Sequence, residues 1–238
     1  MKKIKSTSWL CSLLVLVFAV CGCVGMDSQG RIVPQGLGQS SGSYGQSTYY
    51  NQSAYSQSAY SQNAAQANFP LGRPVGFQAF KDRYQSVGRS PEGAVRMYFD
   101  AVYSYIDTAR RSEGAKMLRY SIHEKQGWEN FPSQQTFVSR LRNASYHYIF
   151  RSFADGTGPE NSYAMNPDNY RLIFAGSRQE TDYVALSIRS TGADNPRLLQ
   201  VQQFEDGLWY VTGYSSTYSD VRQPASQRRT GGHDADRD

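Results

Sequence analysis

The chain has 238 residues, and its 25 Lys and Arg against 20 Asp and Glu give a formal net charge of +5. Three of the lysines lie within the first five residues, and residues 1–22 contain no Asp or Glu. Without that segment, 22 basic residues stand against 20 acidic ones, and the net charge is near +2. So small an excess argues against nucleic acid as a partner.

The first 22 residues have the organisation of a secretory signal. A lysine-rich start precedes an apolar run of twelve residues from Trp9 to Val20, and the small residue Gly22 closes the segment. A transmembrane helix needs about 20 residues, because the hydrocarbon core of a bilayer is about 30 Å thick. We therefore predict that residues 1–22 are a signal peptide that is removed on export.

Cys23 follows Gly22 directly, and this junction resembles the lipobox of bacterial lipoproteins. The resemblance implies a lipid anchor on Cys23, with a diacylglyceryl group on its thiol and an acyl chain such as palmitate on its amine. Since Val24 and not Asp follows, the resemblance also implies the outer membrane where the host is Gram-negative. The alternatives are an anchor at Cys21, which follows the bulky Val20, an ordinary secretory signal, and an uncleaved membrane anchor.

The cysteine positions also limit the chemistry of the mature chain. All three cysteines lie at or before position 23. Once Cys23 carries lipid, no thiol remains for a disulfide, a thiolate metal site or a cysteine nucleophile. The membrane, reached through this anchor from the extracytoplasmic side, is therefore the first partner that we predict.

Residues 23–70 are predicted to be a disordered, lipid-anchored linker rich in Gln, Ser, Tyr and Gly. Residues 51–65 contain a five-residue repeat, which matches the period of neither helix nor strand. Such a segment buries too little apolar surface to offset the entropy of ordering it. We interpret it as a tether, and the alternative is self-association through residues 44–65. A single globular domain over residues 71–224 and a disordered polar tail over residues 225–238 are predicted to follow.

The helices of this domain are predicted to come first. Ser90 can cap a helix whose first residue is Pro91, and apolar residues then recur at spacings of three and four to about Arg110. A second, shorter helix is predicted around Leu118, and a third begins near Ser133. The sequence therefore favours three helices in the first half of the domain.

Five later segments have the alternation or composition that is typical of strands. They are residues 146–151, 170–177, 183–190, 198–204 and 208–214. The last two flank Glu205-Asp206-Gly207, which favours a hairpin turn. Helices followed by antiparallel strands predict an α+β fold, with N-terminal helices packed on a curved antiparallel sheet after a disordered tether. The order of elements resembles that of cystatin-like and nuclear-transport-factor-like cones.

Three short stretches are similar to a family of bacterial exported domains that is known only as a domain of unknown function. They are residues 159–163, 192–197 and 221–224. The resemblance spans about residues 88–224; it implies an extracytoplasmic domain and supplies no activity or site residues. From their composition, we expect turns in these stretches, with Arg197 bracing Asp194 or a neighbouring carboxylate. At least one of Trp209 and Tyr210 is expected to fill the core.

No catalytic, cofactor-binding or metal-binding residues are predicted. His123, His147 and His233 are not paired at a spacing that suits metal ligands, and no phosphate-binding glycine motif occurs in the sequence. The alternative is an enzyme in a cone-shaped pocket, in which His147 and its flanking tyrosines work with Glu180 or Asp182 as an acid–base pair.

Together these observations predict a lipid-anchored, non-catalytic domain at the cell envelope. It would bind a protein, a glycan or another envelope component, with exposed tyrosines among the 18 in the chain supplying contacts. A small-molecule-binding or acid–base enzyme domain is the alternative. A pocket of several hundred Å³ that holds a carboxylate with a raised pKa would favour that alternative.

Overall fold

The structure is a computed structural model, and it describes residues 69–228. The predicted signal peptide, Cys23, nearly all of the predicted linker with its repeat, and the tail beyond residue 228 lie outside the described residues. Across the described part of the chain, each helix is too short or too polar to cross a membrane.

Five α-helices precede a four-stranded sheet within residues 69–228. The helices are α1 (Gly76–Val87), α2 (Pro91–Ile106), α3 (Arg111–Ser121), α4 (Gln135–Arg142) and α5 (His147–Arg151). The strands are β1 (Phe174–Gln179), β2 (Val184–Ile188), β3 (Arg197–Gln203) and β4 (Trp209–Gly213). They pair antiparallel in the order β1-β2-β3-β4. The predicted α+β class, with helices before an antiparallel sheet, is confirmed.

Helix α2 is the most buried element and begins where the sequence predicts. Oγ of Ser90 accepts a hydrogen bond from the backbone N–H of Gly93 at 3.1 Å, which satisfies one of the free donors of the first turn. Every residue from Gly93 to Ile106 is buried, because α2 packs against α3 and against β2, β3 and β4. The helix ends earlier than predicted, since Asp107 is extended and its Oδ1 accepts a hydrogen bond from the N–H of Ala109.

Helix α1 is an element that the sequence analysis missed. No side chain of its own segment caps it; instead Oε2 of Glu113, on α3, accepts a hydrogen bond from the N–H of Phe77 at 2.8 Å. Its buried residues are Phe80 and Tyr84, and the Tyr84 ring stacks on that of Tyr210 with centroids 5.4 Å apart. Both the cap and the packing come from residues distant in sequence, so no local sequence pattern predicts this helix.

Residues 146–151 are helical, and the predicted strand there was wrong. Oδ1 of Asn143 accepts a hydrogen bond from the N–H of Ser145 at 3.0 Å and caps a 3₁₀ turn that leads into α5. Residues 148–150 are all buried, because they divide between two apolar clusters. A strand with one face on a core would bury only alternate residues.

The sheet agrees better with prediction at its C-terminal end. Strand β1 begins at Phe174, later than the predicted start at Tyr170, because Tyr170 and Leu172 are packed in the core before strand pairing begins. Strands β2, β3 and β4 lie within the predicted segments or one residue outside them. Gly207 has φ +75° in the predicted turn between β3 and β4, a conformation that glycine adopts without strain.

Most tyrosines of the described domain lie in its core, contrary to the exposed tyrosine surface that the sequence analysis expected. Those that are buried are Tyr84, Tyr98, Tyr103, Tyr105, Tyr148, Tyr163, Tyr170, Tyr210 and Tyr214. Several of their hydroxyls have internal partners, as buried phenols require: that of Tyr103 donates to the carbonyl of Phe150 at 3.0 Å. Within residues 69–228, Tyr146 is the one tyrosine that is exposed.

Candidate functional site

An open groove of about 440 Å³ lies where the end of α3, the 3₁₀ turn before α4 and the end of β4 meet. Its volume is within the range of small-ligand sites, about 300–1,000 Å³. The lining mixes aromatic and polar side chains and, within the described residues, includes no Lys or Arg. The lining residues include His123, Glu124, Gln134, Phe204, Thr212 and Tyr214.

His123 lines the groove from a strained backbone position. Helix α3 ends in a Schellman motif, in which the N–H of His123 donates to the carbonyl of Tyr120 at 3.1 Å and the N–H of Glu124 donates to that of Arg119 at 3.0 Å. The residue after the cap is then left-handed, and glycine usually occupies it. Here it is His123, with φ +52°, and this conformation costs roughly 1–2 kcal/mol for a residue with a Cβ.

Aromatic packing holds the imidazole in this place. Its centroid is 4.0 Å from that of Phe204 and 4.7 Å from that of Tyr210. Tyr210 in turn stacks on Tyr84, so the imidazole rests on an aromatic group that continues into the core. His123 nevertheless remains exposed to solvent. The fold therefore maintains the strain and presents the imidazole at the groove.

Gln134 and Tyr214 form the best-defined polar contact of the groove. The hydroxyl of Tyr214 donates to Oε1 of Gln134 at 2.8 Å, which leaves the amide nitrogen of Gln134 as a donor. Burial raises the pKa of Tyr214, the Gln134 hydrogen bond lowers it, and the charge of Glu124 raises it further. The phenol therefore stays protonated, and Glu124 is close enough to influence it.

Other polar side chains of the groove have no partner within residues 69–228. The carboxylate of Glu124 belongs to none of the ion pairs in this part of the chain. The hydroxyls of Ser133, Thr212 and Ser215, which also line the groove, make no hydrogen bond to the described residues. These groups are available to a ligand.

The predicted acid–base alternative does not assemble. Nε2 of His147 lies 2.9 Å from the carbonyl of Leu141, and burial lowers the pKa of this imidazole. Glu180 pairs with Arg178, and no hydrogen bond or ion pair within residues 69–228 joins His147 to Glu180 or Asp182. The described residues also contain no group of three His, Cys, Asp or Glu that could hold a metal ion.

A carboxylate with a raised pKa does exist, but it lies in the core. Oδ1 of Asp100 is 3.3 Å from Nε of Arg96 and accepts a hydrogen bond from the hydroxyl of Tyr170 at 2.7 Å. Burial raises the pKa of Asp100 to about 6 and outweighs the attraction of Arg96. Asp100 is 1% exposed and does not line the groove. The combination that would favour an enzyme, this carboxylate inside a pocket, is therefore not formed.

The three stretches that carry the sequence resemblance to a domain of unknown function come together at one end of the domain. The N–H of Arg222 donates to the carbonyl of Gly192 at 2.8 Å, and the N–H of Ala225 donates to that of Pro159 at 2.9 Å. The hydroxyl of the buried Tyr163 donates to the carbonyl of Arg222 at 2.6 Å. We call this arrangement, formed by residues 159–163, 192–197 and 221–225, the clasp.

Gly192 is required by the tight packing of the clasp. A Cβ at this position would lie 2.4 Å from Oη of Tyr163 and 2.9 Å from Cβ of Val221. Both distances are shorter than van der Waals contact allows, so a side chain here would push the clasp apart. The glycine is needed for close approach.

The charged residues of the clasp also hold the segment around residues 220–222. The predicted pairing of Arg197 with Asp194 was wrong. Asp194 pairs with Arg222 at 3.2 Å. The guanidinium of Arg197 instead donates to the carbonyl of Asp220 at 2.8 Å. Arg222 therefore ties the C-terminal segment to the loop after β2, and Arg197, the first residue of β3, ties the same segment to the sheet. The stretches that stood out in the sequence have a structural role in the described domain.

The groove, by contrast, was not identified from the sequence. His123 was considered only as a metal ligand, and Phe204, Gln134 and Tyr214 belonged to predicted elements without any assigned role. Its lining residues run from position 122 to position 218, with no common motif. A histidine just after the predicted end of α3, where glycine is usual, is the one signal that could have pointed to it.

Comparison with known protein families gives a match to most of the described domain. A family model matches residues 73–225, which are the greater part of the chain. The match includes α1, which precedes residues 88–224, the range over which the sequence resembles a domain of unknown function. No curated protein and no solved structure matches the chain, so the likeness to cone-shaped folds stays a prediction from the order of elements. The chain belongs to the family described as Domain of unknown function (DUF6935).

Proposed function

We propose that this protein is a lipid-anchored cell-envelope protein whose domain binds a ligand without catalysing its conversion, and that the groove is the binding surface. The ligand is a component of the envelope, and nucleic acid is not a partner. The lipid on Cys23 would keep the domain at the membrane, and the linker would give it reach. The role of the groove rests on structure, whereas the anchor rests on sequence.

The observation that carries this proposal is the left-handed conformation of His123. A glycine would end α3 without strain, yet the chain places an imidazole there, on Phe204 and beside the groove. Strained residues that the surrounding structure maintains are concentrated at functional sites. Ser162 and Tyr163 of the clasp are also left-handed, but the Tyr163 side chain is buried and its hydroxyl is bound within the domain. The imidazole of His123, by contrast, is exposed at the groove. The unpaired polar groups beside His123 support the same interpretation, since ligand sites combine apolar walls with a few polar groups that fix orientation.

The binding role can be tested by filling the groove. In the predicted mature chain, residues 23–238 carrying Cys23→Ala, neither the signal segment nor the lipid contributes to sedimentation. In this chain, Thr212→Arg places a long side chain at the groove lining. Thr181→Arg, at an exposed position between β1 and β2, is the matched control. We expect the parent and the control to sediment with isolated envelope fragments of the host, and Thr212→Arg to stay in the supernatant. Equal sedimentation of all three chains, or of none, would show that the groove is not the binding surface.

The anchor is tested separately, by labelling with radioactive palmitate. One acyl chain binds a membrane only marginally, because each buried methylene contributes about 0.8 kcal/mol, whereas two or three chains hold a protein stably. We expect Cys23→Ala to lose the palmitate label, and Cys21→Ala to keep it. If Cys21→Ala alone loses the label, the anchor is Cys21; if neither loses it, the chain is not a lipoprotein of this type.

A further inference from the structure

We infer that the groove selects a hydroxyl-rich ligand that carries a protonated amine, the chemistry of an amino sugar. This inference rests on the proposed binding role of the groove and adds the class of ligand. Three features of the lining support it: its charge, its aromatic faces and its free hydrogen-bonding groups.

The charge of the lining favours a cation over an anion. Glu124 is the one carboxylate in the lining, and within residues 69–228 no Lys or Arg lines the groove beside it. The carboxylate has no ion-pair partner in this part of the chain, and its half-buried position limits its contact with water. A phosphate or carboxylate ligand would be repelled here, whereas an ammonium group would gain a counter-charge.

The aromatic residues suit the same ligand. Phe204, Tyr214 and Tyr218 line the groove, and all three pack against the core, so their rings are held in place before a ligand arrives. The face of an aromatic ring attracts an ammonium group, at about 0.5–1 kcal/mol in exposed sites. A ring held in place also offers an apolar wall to the carbon skeleton of a sugar at little entropic cost.

The remaining lining groups can bind hydroxyls. The amide nitrogen of Gln134 is a donor, because its Oε1 already accepts from Tyr214. Ser133, Thr212 and Ser215 contribute hydroxyls that can donate and accept. A ligand with several hydroxyls can use these groups together, and a purely apolar amine cannot.

Three probes that share the glucose ring test the inference. Glucosamine, glucose and glucose 6-phosphate differ in charge, being cationic, neutral and anionic at pH 7. Each is titrated into the full chain carrying Cys23→Ala, and binding is followed by the NMR shifts of the backbone amides of Glu124, Gln134 and Thr212. We expect glucosamine to bind at least about fivefold more tightly than glucose, and glucose 6-phosphate to bind most weakly.

The contribution of the carboxylate is isolated by Glu124→Gln, which keeps the size of the side chain and removes its charge. We expect the preference of this variant for glucosamine over glucose to fall to about twofold or less, since only the aromatic faces then favour the ammonium group, whereas the control Asp182→Asn, at an exposed position between β1 and β2, keeps the full preference. Equal binding of glucosamine and glucose by the parent chain, or preference for glucose 6-phosphate, would overturn the amine inference while the groove remained a binding site. Shifts with none of the probes would also overturn it, and the sedimentation experiment then decides the binding role by itself.

Discussion

The clasp and the groove use polar side chains in opposite ways. In the clasp, the hydroxyl of Tyr163 and one nitrogen of each of the Arg197 and Arg222 guanidinium groups are bound within the domain, although Nε of Arg197 is buried without a partner among residues 69–228. In the groove, Glu124, Ser133 and Thr212 have no partner within residues 69–228, and a strained His123 stands among them. The stretches with a recognisable sequence pattern therefore stabilise the fold, while the candidate binding site is assembled from residues without a motif.

The difference has a physical origin. A clasp needs turns, a glycine of close approach and fixed hydrogen bonds, and these requirements produce compact local patterns. A groove needs only that different elements end near one another with suitable side chains. Its residues are then constrained by the tertiary structure and by the ligand, and neither constraint has a short-range signature.

The largest effect on stability is expected at Asp100, a polar group that is neither in the clasp nor in the groove but is enclosed in the core. Its folded-state pKa of about 6 lies above its ordinary value of 3.8, so the folded chain binds the proton more tightly than the unfolded chain. Asp100 therefore contributes roughly 3 kcal/mol to the free energy of unfolding below pH 3.8, and this contribution is lost as the pH rises to about 6. Relative to Asp100→Asn, the parent chain should become less stable over that interval.

The measurement is urea unfolding of both chains between pH 4 and pH 7, because groups other than Asp100 titrate alike in the two and cancel in the difference. Asp182→Asn, which removes an exposed carboxylate, should show no such trend. If the difference between the parent and Asp100→Asn is constant or has the opposite slope, Arg96 holds Asp100 ionised, and internal pairing outweighs burial.

A somewhat smaller effect is expected from Gly192→Ala, which tests whether the clasp is as tightly packed as its contacts indicate. The new methyl group would meet Tyr163 and Val221 at distances that neither can accept, and we expect a loss of about 2 kcal/mol in the free energy of unfolding. The control is Gly158→Ala in the same region, where a Cβ has no neighbour within 4 Å; it should change stability by at most about 1 kcal/mol. Equal losses in the two variants would show that the clasp is loose, and the contrast with the groove would weaken.

The smallest change in stability is expected from His123→Gly, at the groove side of the comparison. Glycine relieves the left-handed strain of about 1 kcal/mol or more, while loss of the imidazole forfeits packing on Phe204 and Tyr210 of similar size. We therefore expect unfolding free energies within about 1 kcal/mol of each other, together with loss of sedimentation on envelope fragments when both chains carry Cys23→Ala. A variant that is clearly destabilised but still binds would assign His123 to packing alone.

Much of the fold could be predicted because its signals are local. Ser90 and Pro91 predict the start of α2, and the turn at Gly207 predicts that β3 and β4 lie side by side. Helix α1 escaped prediction because its cap comes from Glu113 on another helix. Helix α5 was mistaken for a strand because its alternation of large and polar residues fits either structure until the two apolar clusters that bury residues 148–150 are known.

The class of the fold and the likeness to a family of unknown function follow from the sequence, because caps, turns and short motifs involve only a few neighbouring residues; the lipid at Cys23 is a prediction from the same kind of local pattern. The tertiary structure alone decided that the tyrosines fill the core, that the family stretches form a clasp, and that His123, Glu124 and Gln134 meet Phe204 and Tyr214 in one groove. These outcomes depend on contacts between residues up to 125 positions apart, for which burial and strand pairing, and not local preference, supply the free energy.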